Sequence, residues 1–128
     1  MAIDKSQPVL IVDDHAPMLR IVRVLLRQLG FEAVDEAADG SEALAMLRER
    51  RYGLVISDWN MQPMTGFDLL RRVRADDALK DLPFLMVTAE GRTENVIAAR
   101  EAGVSGYLMK PFGIESFRAK IGSIGSAA

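Results

Sequence analysis

Three carboxylates, one hydroxyl and one amine each stand directly after, or one residue beyond, an apolar run of this chain. Asp13 and Asp14 follow Val9-Leu10-Ile11-Val12, Asp58 follows Leu54-Val55-Ile56-Ser57, Thr88 follows Phe84-Leu85-Met86-Val87, and Lys110 follows Tyr107-Leu108-Met109. If these runs are neighbouring parallel strands, all five side chains emerge at one edge of one sheet, where open α/β sheets place their ligand crevice. Two carboxylates about 4 Å apart repel by roughly 4 kcal/mol at an effective dielectric near 20. Three gathered together need a cation, and a hard dication with oxygen ligands, Mg2+ foremost and Mn2+ as a substitute, meets that need. A carboxylate beside such an ion can attack a phosphoryl group and form an aspartyl phosphate. The charge that develops on the phosphoryl oxygens then needs a fixed cation on another side, and Lys110 is the candidate. Pro111 forces a sharp turn directly after it, and Thr88 offers a hydroxyl to a phosphoryl oxygen. Taken singly, these residues have blander uses: Asp13 and Asp14 could cap a helix, and Asp58 could begin a turn.

The elements that would position these groups can be read from the pattern. Strand-like runs alternate with helical periodicity, the signature of βαβ units and a parallel sheet. Continuous apolar runs fit strands covered by helices on both faces. Met18, Ile21, Val22, Leu25 and Leu29 form a helical stripe opposite Arg20, Arg23 and Arg27, with Pro17 in the first turn and Gly30 as terminator. A weaker strand is expected over 33–37, and Asp39-Gly40-Ser41 supplies caps for a helix carrying Ala43, Leu44 and Leu47. Further helices carry Phe67, Leu70 and Val73, run from about Thr93 to Ala102 before Gly103, and begin near Ile114 with Phe117 and Ile121. The expectation is five strands and five helices, strictly alternating.

At 128 residues with 49% apolar and 27% charged residues, the chain reads as one globular domain, 1–128, with its core at about 8–121. The Gly/Ser/Ala stretch at 122–128 is expected to fray, and Gly122 and Gly125 to keep the last helix short. There is no cysteine, which excludes thiol catalysis and zinc-thiolate sites. No membrane span or signal peptide is visible, so a cytoplasmic protein without membrane partners is expected. A net charge of −2 does not favour nucleic acid. Two arginine clusters, Arg48, Arg50, Arg51 and Arg71, Arg72, Arg74, read as solvated helix ends. His15, beside the acidic pair, reads as a solvent-exposed first-turn residue.

The ordered set Asp13-Asp14, Asp58, Thr88 and Lys110-Pro111 resembles the receiver domain of two-component response regulators over about Val9 to Ile121. The runs Ile56-Ser57-Asp58-Trp59-Asn60-Met61, Leu85-Met86-Val87-Thr88-Ala89-Glu90 and Gly106-Tyr107-Leu108-Met109-Lys110-Pro111-Phe112 are most similar to the stand-alone chemotaxis regulators of that family. The resemblance implies a doubly wound, flavodoxin-like (βα)5 fold with a five-stranded parallel sheet in the order 2-1-3-4-5. It implies Asp58 as phosphoacceptor, with Mg2+ held by Asp14, the Asp58 carboxylate and the backbone carbonyl of Asn60, and by Asp13 through water. Lys110, Thr88 and the Ala89 N–H would bind the phosphoryl group, Thr88 and Tyr107 would form the switch, and Asn60 and Glu90 would tune dephosphorylation. It implies a cis Lys110-Pro111 bond and rapid self-dephosphorylation. The implied partners are a histidine kinase or phosphotransfer protein, and an output protein, the flagellar motor switch first, met by the fourth helix, fifth strand and fifth helix of a monomer.

The pattern is departed from at Gln62-Pro63 and Thr65, so the loop after Asp58 is expected to differ in shape, and at Gly113, on the face that would contact the output partner. A receiver acting as phosphate sink or regulating a kinase outside chemotaxis stands beside the main reading, as does a receiver that no longer accepts phosphate. A haloacid-dehalogenase-like phosphohydrolase is the remote rival. It requires Asp-x-Asp, whereas Asp58-Trp59-Asn60 carries an amide at the third position. The chain is therefore expected to be a signalling protein rather than an enzyme turning over a free substrate, and its output a protein contact rather than DNA binding.

Overall fold

The computed structural model describes residue 3 and residues 5–126. Strands and helices alternate strictly: β1 (Val9–Val12), α1 (Ala16–Gln28), β2 (Val34–Ala37), α2 (Gly40–Glu49), β3 (Leu54–Ser57), α3 (Gly66–Ala75), β4 (Phe84–Thr88), α4 (Thr93–Glu101), β5 (Gly106–Met109) and α5 (Ile114–Ser126). The five strands form one parallel sheet in the order β2-β1-β3-β4-β5, as expected. Successive strand residues point to opposite faces, and the core divides accordingly. Val9 and Ile11 pack with Val22 and Leu26 of α1 and with Phe117, Ile121 and Ile124 of α5. Leu10 and Val12 pack with Leu44 and Leu47 of α2 and with Leu69, Leu70 and Val73 of α3. Among the described residues no helix is long and apolar enough to cross a membrane.

The helix boundaries follow local chemistry. Pro17 lies in the first turn of α1, and Gly30, at φ +96, ends it in a conformation that glycine adopts without strain. Asp39 caps α2 by accepting the Glu42 N–H at 2.9 Å. Thr65, a departure from the family pattern, caps α3 by accepting the Asp68 N–H at 3.1 Å. Gln62-Pro63 is a cis peptide bond, as is Lys110-Pro111.

Three expectations are corrected. Helix α5 does not stop early: it continues to Ser126, because Ile124, only 6% exposed, packs against Gly106 of β5. Burying Ile121 and Ile124 is worth about 1.5–3 kcal/mol each, more than the roughly 1 kcal/mol that each of Gly122 and Gly125 costs. Residues 127 and 128, the remainder of the stretch expected to fray, lie outside the described residues. On α1, Ile21 of the apolar stripe is exposed, and Leu26 takes the innermost place. Finally, the arginine clusters are not simply solvated. Arg50 pairs with Asp35 at 2.6 Å, and the same carboxylate oxygen accepts the Tyr52 hydroxyl.

Arg74 departs furthest from a solvated helix end. Its guanidinium donates to the carbonyls of Gly103 (2.9 Å), Lys80 (3.0 Å) and Leu82 (2.6 Å), and approaches Ser105 Oγ at 3.4 Å. It thereby ties the end of α3 to the β4 approach and to the glycine that terminates α4. Burial lowers its pKa from the usual arginine value. A planar fork with five donors can serve three carbonyls at once, which an ammonium cannot. Arg74→Met is expected to lose about 2–3 kcal/mol of stability, since hydrogen bonds to a charged donor are lost together. Arg74→Lys should recover less than half. Urea unfolding followed by the fluorescence of Trp59 measures both, and equal stability of Arg74→Met and the parent chain would refute the assignment.

Candidate functional site

Sheet register decides which polar residues meet. Val12 of β1 lies opposite Ser57 of β3, so Asp13 and Asp58 leave the sheet side by side. Ser57 lies opposite Met86, which sets Thr88 one residue higher on the neighbouring strand. Thr88 lies opposite Met109, and Lys110 follows. The continuous apolar strands beneath force these polar side chains to the first position beyond the sheet core. Asp13 and Asp58 are nevertheless buried, at 5% and 6% exposure, and Thr88 is wholly buried.

Buried carboxylates need partners. The Lys110 ammonium serves both, 3.3 Å from Asp13 Oδ2 and 3.6 Å from Asp58 Oδ2. Its hydrogen bond goes to Asp13, and its contact with Asp58 is the longer of the two ion pairs. The second Asp58 oxygen accepts the Trp59 N–H at 2.7 Å, and Asp13 Oδ1 accepts the His15 N–H at 3.0 Å. Asp14 stands at the outer rim, 43% exposed, with its Oδ1 3.1 Å from His15 Nδ1. Two buried carboxylates and one at the rim thus face one ammonium, an excess of negative charge with oxygen donors. That donor set fits a hard dication such as Mg2+. Asp13, Asp14, Asp58 and the Asn60 carbonyl, in the exposed part of the following loop, are the residues that could hold it.

The loop after Asp58 is held closely. Ser57 Oγ donates to the Asp58 carbonyl at 2.8 Å, and the Gly66 N–H donates to the Trp59 carbonyl at 2.9 Å. A Cβ at Gly66 would fall 1.9 Å from the Asp58 carbonyl oxygen, so only glycine lets α3 begin there. Sequence reasoning gave neither Ser57 nor Gly66 a part in the site. A serine ending an apolar strand immediately before the acid was the one available signal.

Thr88, Ala89, Glu90 and Tyr107 form the other wall. Thr88 Oγ1 accepts the Glu90 N–H at 3.1 Å, which leaves its hydroxyl proton free to donate elsewhere. The Tyr107 hydroxyl donates to the Glu90 carbonyl. The Glu90 carboxylate accepts the Arg92 N–H at 3.0 Å at the start of α4, where Arg92 occupies the cap position without a side-chain cap of its own. This bond, more than any other contact, holds the Glu90 carboxyl below its usual pKa. Ala89 lies exposed between Thr88 and Glu90. Tyr107, expected as part of the switch, is half-buried and bonded to the loop. His15 is 73% exposed, as expected, but it is the N-cap of α1 rather than a first-turn residue, and it touches both acids.

Residues 9–122 match the family model described as response regulator receiver domain. The chain is 48% identical over 122 residues to the chemotaxis protein CheY-3 of Vibrio cholerae, covering 95% of this chain and 94% of the relative. It is 52% identical over 116 residues to the chemotaxis protein CheY of Pseudomonas aeruginosa, covering 91% and 94%. The solved structure of the chemotaxis response regulator CheY4 of Vibrio cholerae superimposes with a TM-score of 0.84 at 36% identity, covering 92% of this chain and 98% of that one.

The two tyrosines give the fold a pH signature, and only Tyr107 belongs to the site. Burial, reinforced by the charges of Glu90 and Asp58, pushes the Tyr107 phenol up to about 12. Burial and the hydrogen bond to Asp35 do the same for Tyr52, again to about 12. Both phenols have raised folded-state values, so their contribution is complete below the unfolded value near 10 and is lost as pH rises toward 12. Absorbance at the phenolate band should therefore show no titration at pH 10 in the folded chain and half-titration there in urea. Ionisation of either phenol at pH 10 without unfolding would contradict this placement.

Proposed function

The chain belongs to the response regulator receiver domain family, and from that premise we propose that Asp58 accepts a phosphoryl group and that the chain acts as a chemotaxis response regulator. The observation that carries this reading is the buried Asp58 carboxylate, aligned with Asp13 by strand register and balanced by the single ammonium of Lys110. The donor is a histidine kinase or phosphotransfer protein, or a small acyl phosphate. A carboxylate oxygen of Asp58 attacks phosphorus, a P–O bond forms, and the P–N bond to the donor imidazole breaks, its electron pair staying on nitrogen. Asp13, Asp14, Asp58 and the Asn60 carbonyl hold Mg2+, or Mn2+, which when bound supplies positive charge against the phosphoryl oxygens.

The chain's own residues do the remainder. Lys110 already stands 3.6 Å from Asp58 Oδ2 and presents its ammonium to the transferred group. The Trp59 N–H orients the carboxylate through its other oxygen. Thr88 retains a free hydroxyl proton for a phosphoryl oxygen, and the Ala89 N–H is the adjacent donor. A shift of Thr88 toward the phosphoryl group alters its bond with the Glu90 N–H, and Glu90 in turn carries the Tyr107 hydroxyl and the start of α4. The phosphoryl group thus biases the arrangement of α4, β5 and α5, the face proposed to meet the output protein. Exposed Ile97 and Met109 lie on that face. The flagellar motor switch is the proposed target, given the chemotaxis proteins among the relatives. Asn60 and Glu90 flank the acceptor and set how readily water hydrolyses the acyl phosphate. The chain therefore phosphorylates itself from a phosphodonor and dephosphorylates itself.

Acetyl phosphate with Mg2+ should add one phosphoryl group to the intact chain, seen by mass spectrometry, and none to Asp58→Asn. After removal of the donor the group should disappear within minutes; persistence for hours would overturn the rapid-hydrolysis part of the proposal. Beryllofluoride-treated protein should bind the motor switch at least about tenfold more tightly than untreated protein, a coupling of about 1.4 kcal/mol. Equal binding with and without beryllofluoride would remove the motor switch as target.

A further inference from the structure

His15 is the one imidazole in the chain, and it sits on the rim of the acidic pocket without a task in the helix it begins. As the N-cap of α1 it makes no side-chain capping bond, although that position ordinarily spends its side chain on the helix N–H groups. Its side chain turns outward over the two acids instead. Nδ1 stands 3.1 Å from Asp14 Oδ1 and 3.5 Å from Asp13 Oδ1. The His15 N–H bonds Asp13 Oδ1 at 3.0 Å, which fixes the backbone that carries the ring. The three side chains can each offer one ligand atom, all within 4.8 Å of one another.

Those separations match donors on one ion. With metal–ligand bonds of about 2.0–2.2 Å, neighbouring donors stand about 2.9–3.6 Å apart at octahedral or tetrahedral angles. The donor chemistry separates candidate ions. A pocket of carboxylates and carbonyls suits Mg2+, whereas an imidazole nitrogen adds affinity for zinc and its neighbours and little for magnesium. The excess negative charge established above is indifferent to which dication enters, so the nitrogen decides preference.

Building on the phosphoacceptor reading, we propose that Asp13, Asp14 and His15 form a transition-metal site at the pocket rim, in which the His15 imidazole shifts preference from Mg2+ toward Zn2+. The ion held there shares Asp13 and Asp14 with the Mg2+ position, so one displaces the other. Metal identity then becomes an input to the same pocket, separate from the phosphodonor.

The test uses the tag-free full chain, with Zn2+, Mn2+ and Mg2+ added singly. Trp59, the only tryptophan and next to Asp58, reports occupancy by fluorescence, and calorimetry gives the affinities. His15→Ala should lower the ratio of Zn2+ to Mg2+ affinity by about tenfold or more, the scale on which altering a metal's ligand environment acts. The side chain is largely exposed and makes no cap bond, so folding should survive, and unchanged urea unfolding checks this. Because the chain has a single histidine, its ring nitrogens are unambiguous by NMR. Zn2+ should shift Nδ1 strongly and Mg2+ should not. An unchanged affinity ratio in His15→Ala, or saturation with Zn2+ without movement of Nδ1, overturns the proposal. Absence of Mg2+ binding in the parent chain would strike the phosphoacceptor reading instead, and the Nδ1 measurement would still decide the imidazole's role.

Discussion

One ammonium shared between two buried carboxylates governs the architecture of the functional edge. An unpaired carboxylate in a largely dehydrated position costs several kcal/mol, and removal of one partner from such a group is more costly than replacement of the whole. Asp13 and Asp58 can stay buried because the Lys110 ammonium reaches both. That requirement propagates outward. β1 and β3 must be adjacent and in register so that the acids emerge side by side, and β5 must follow β4 so that Lys110 can arch across the intervening strand end. The Lys110 N–H, donating to the Thr88 carbonyl at 2.9 Å, holds the lysine backbone there.

A shared ammonium also leaves the pocket incompletely balanced, since Asp14 adds a third carboxylate at the rim. This residual charge makes the edge receptive both to a dication and to a group that brings the ammonium a stronger partner. A more fully neutralised site would be more stable and less responsive. The Thr88–Glu90–Tyr107 wall has a similar character. Each contact is a single hydrogen bond between a side chain and a loop backbone group, and each such bond is worth about 0.5–1.5 kcal/mol net. A phosphoryl group can compete with bonds of that size. Arg74, at the opposite end of the sheet, holds three carbonyls and anchors the ends of α3 and α4 while the other end remains adjustable.

Much of this was legible from residue order because the strands are so short and so apolar. Four-residue runs such as Val9–Val12 and Leu54–Ser57, buried throughout, leave no choice about where the following acid emerges. The caps at Asp39 and the terminator at Gly30 were equally plain, since only a few residue types satisfy those backbone positions. Less visible was whatever depended on two distant segments. Arg74 looked like its solvated neighbours because the carbonyls it serves belong to residues six to twenty-nine positions away. The final helix looked too glycine-rich to persist because the groove that receives Ile124 is made by β5 and cannot be inferred from helix propensity.

By itself the sequence determined the alternation of elements, the family, and which residues stand at the strand ends: Asp13, Asp14, Asp58, Thr88 and Lys110. Those follow from local patterning, where side-chain period and backbone preference act within a few residues. Tertiary structure alone decided how the charges are shared. It set Lys110 closer to Asp13 than to Asp58, turned Asp14 toward His15, and required glycine at position 66 beneath the Asp58 carbonyl. Electrostatic pairing and close packing act through space at a few ångströms, and such distances exist only once the sheet has set its register.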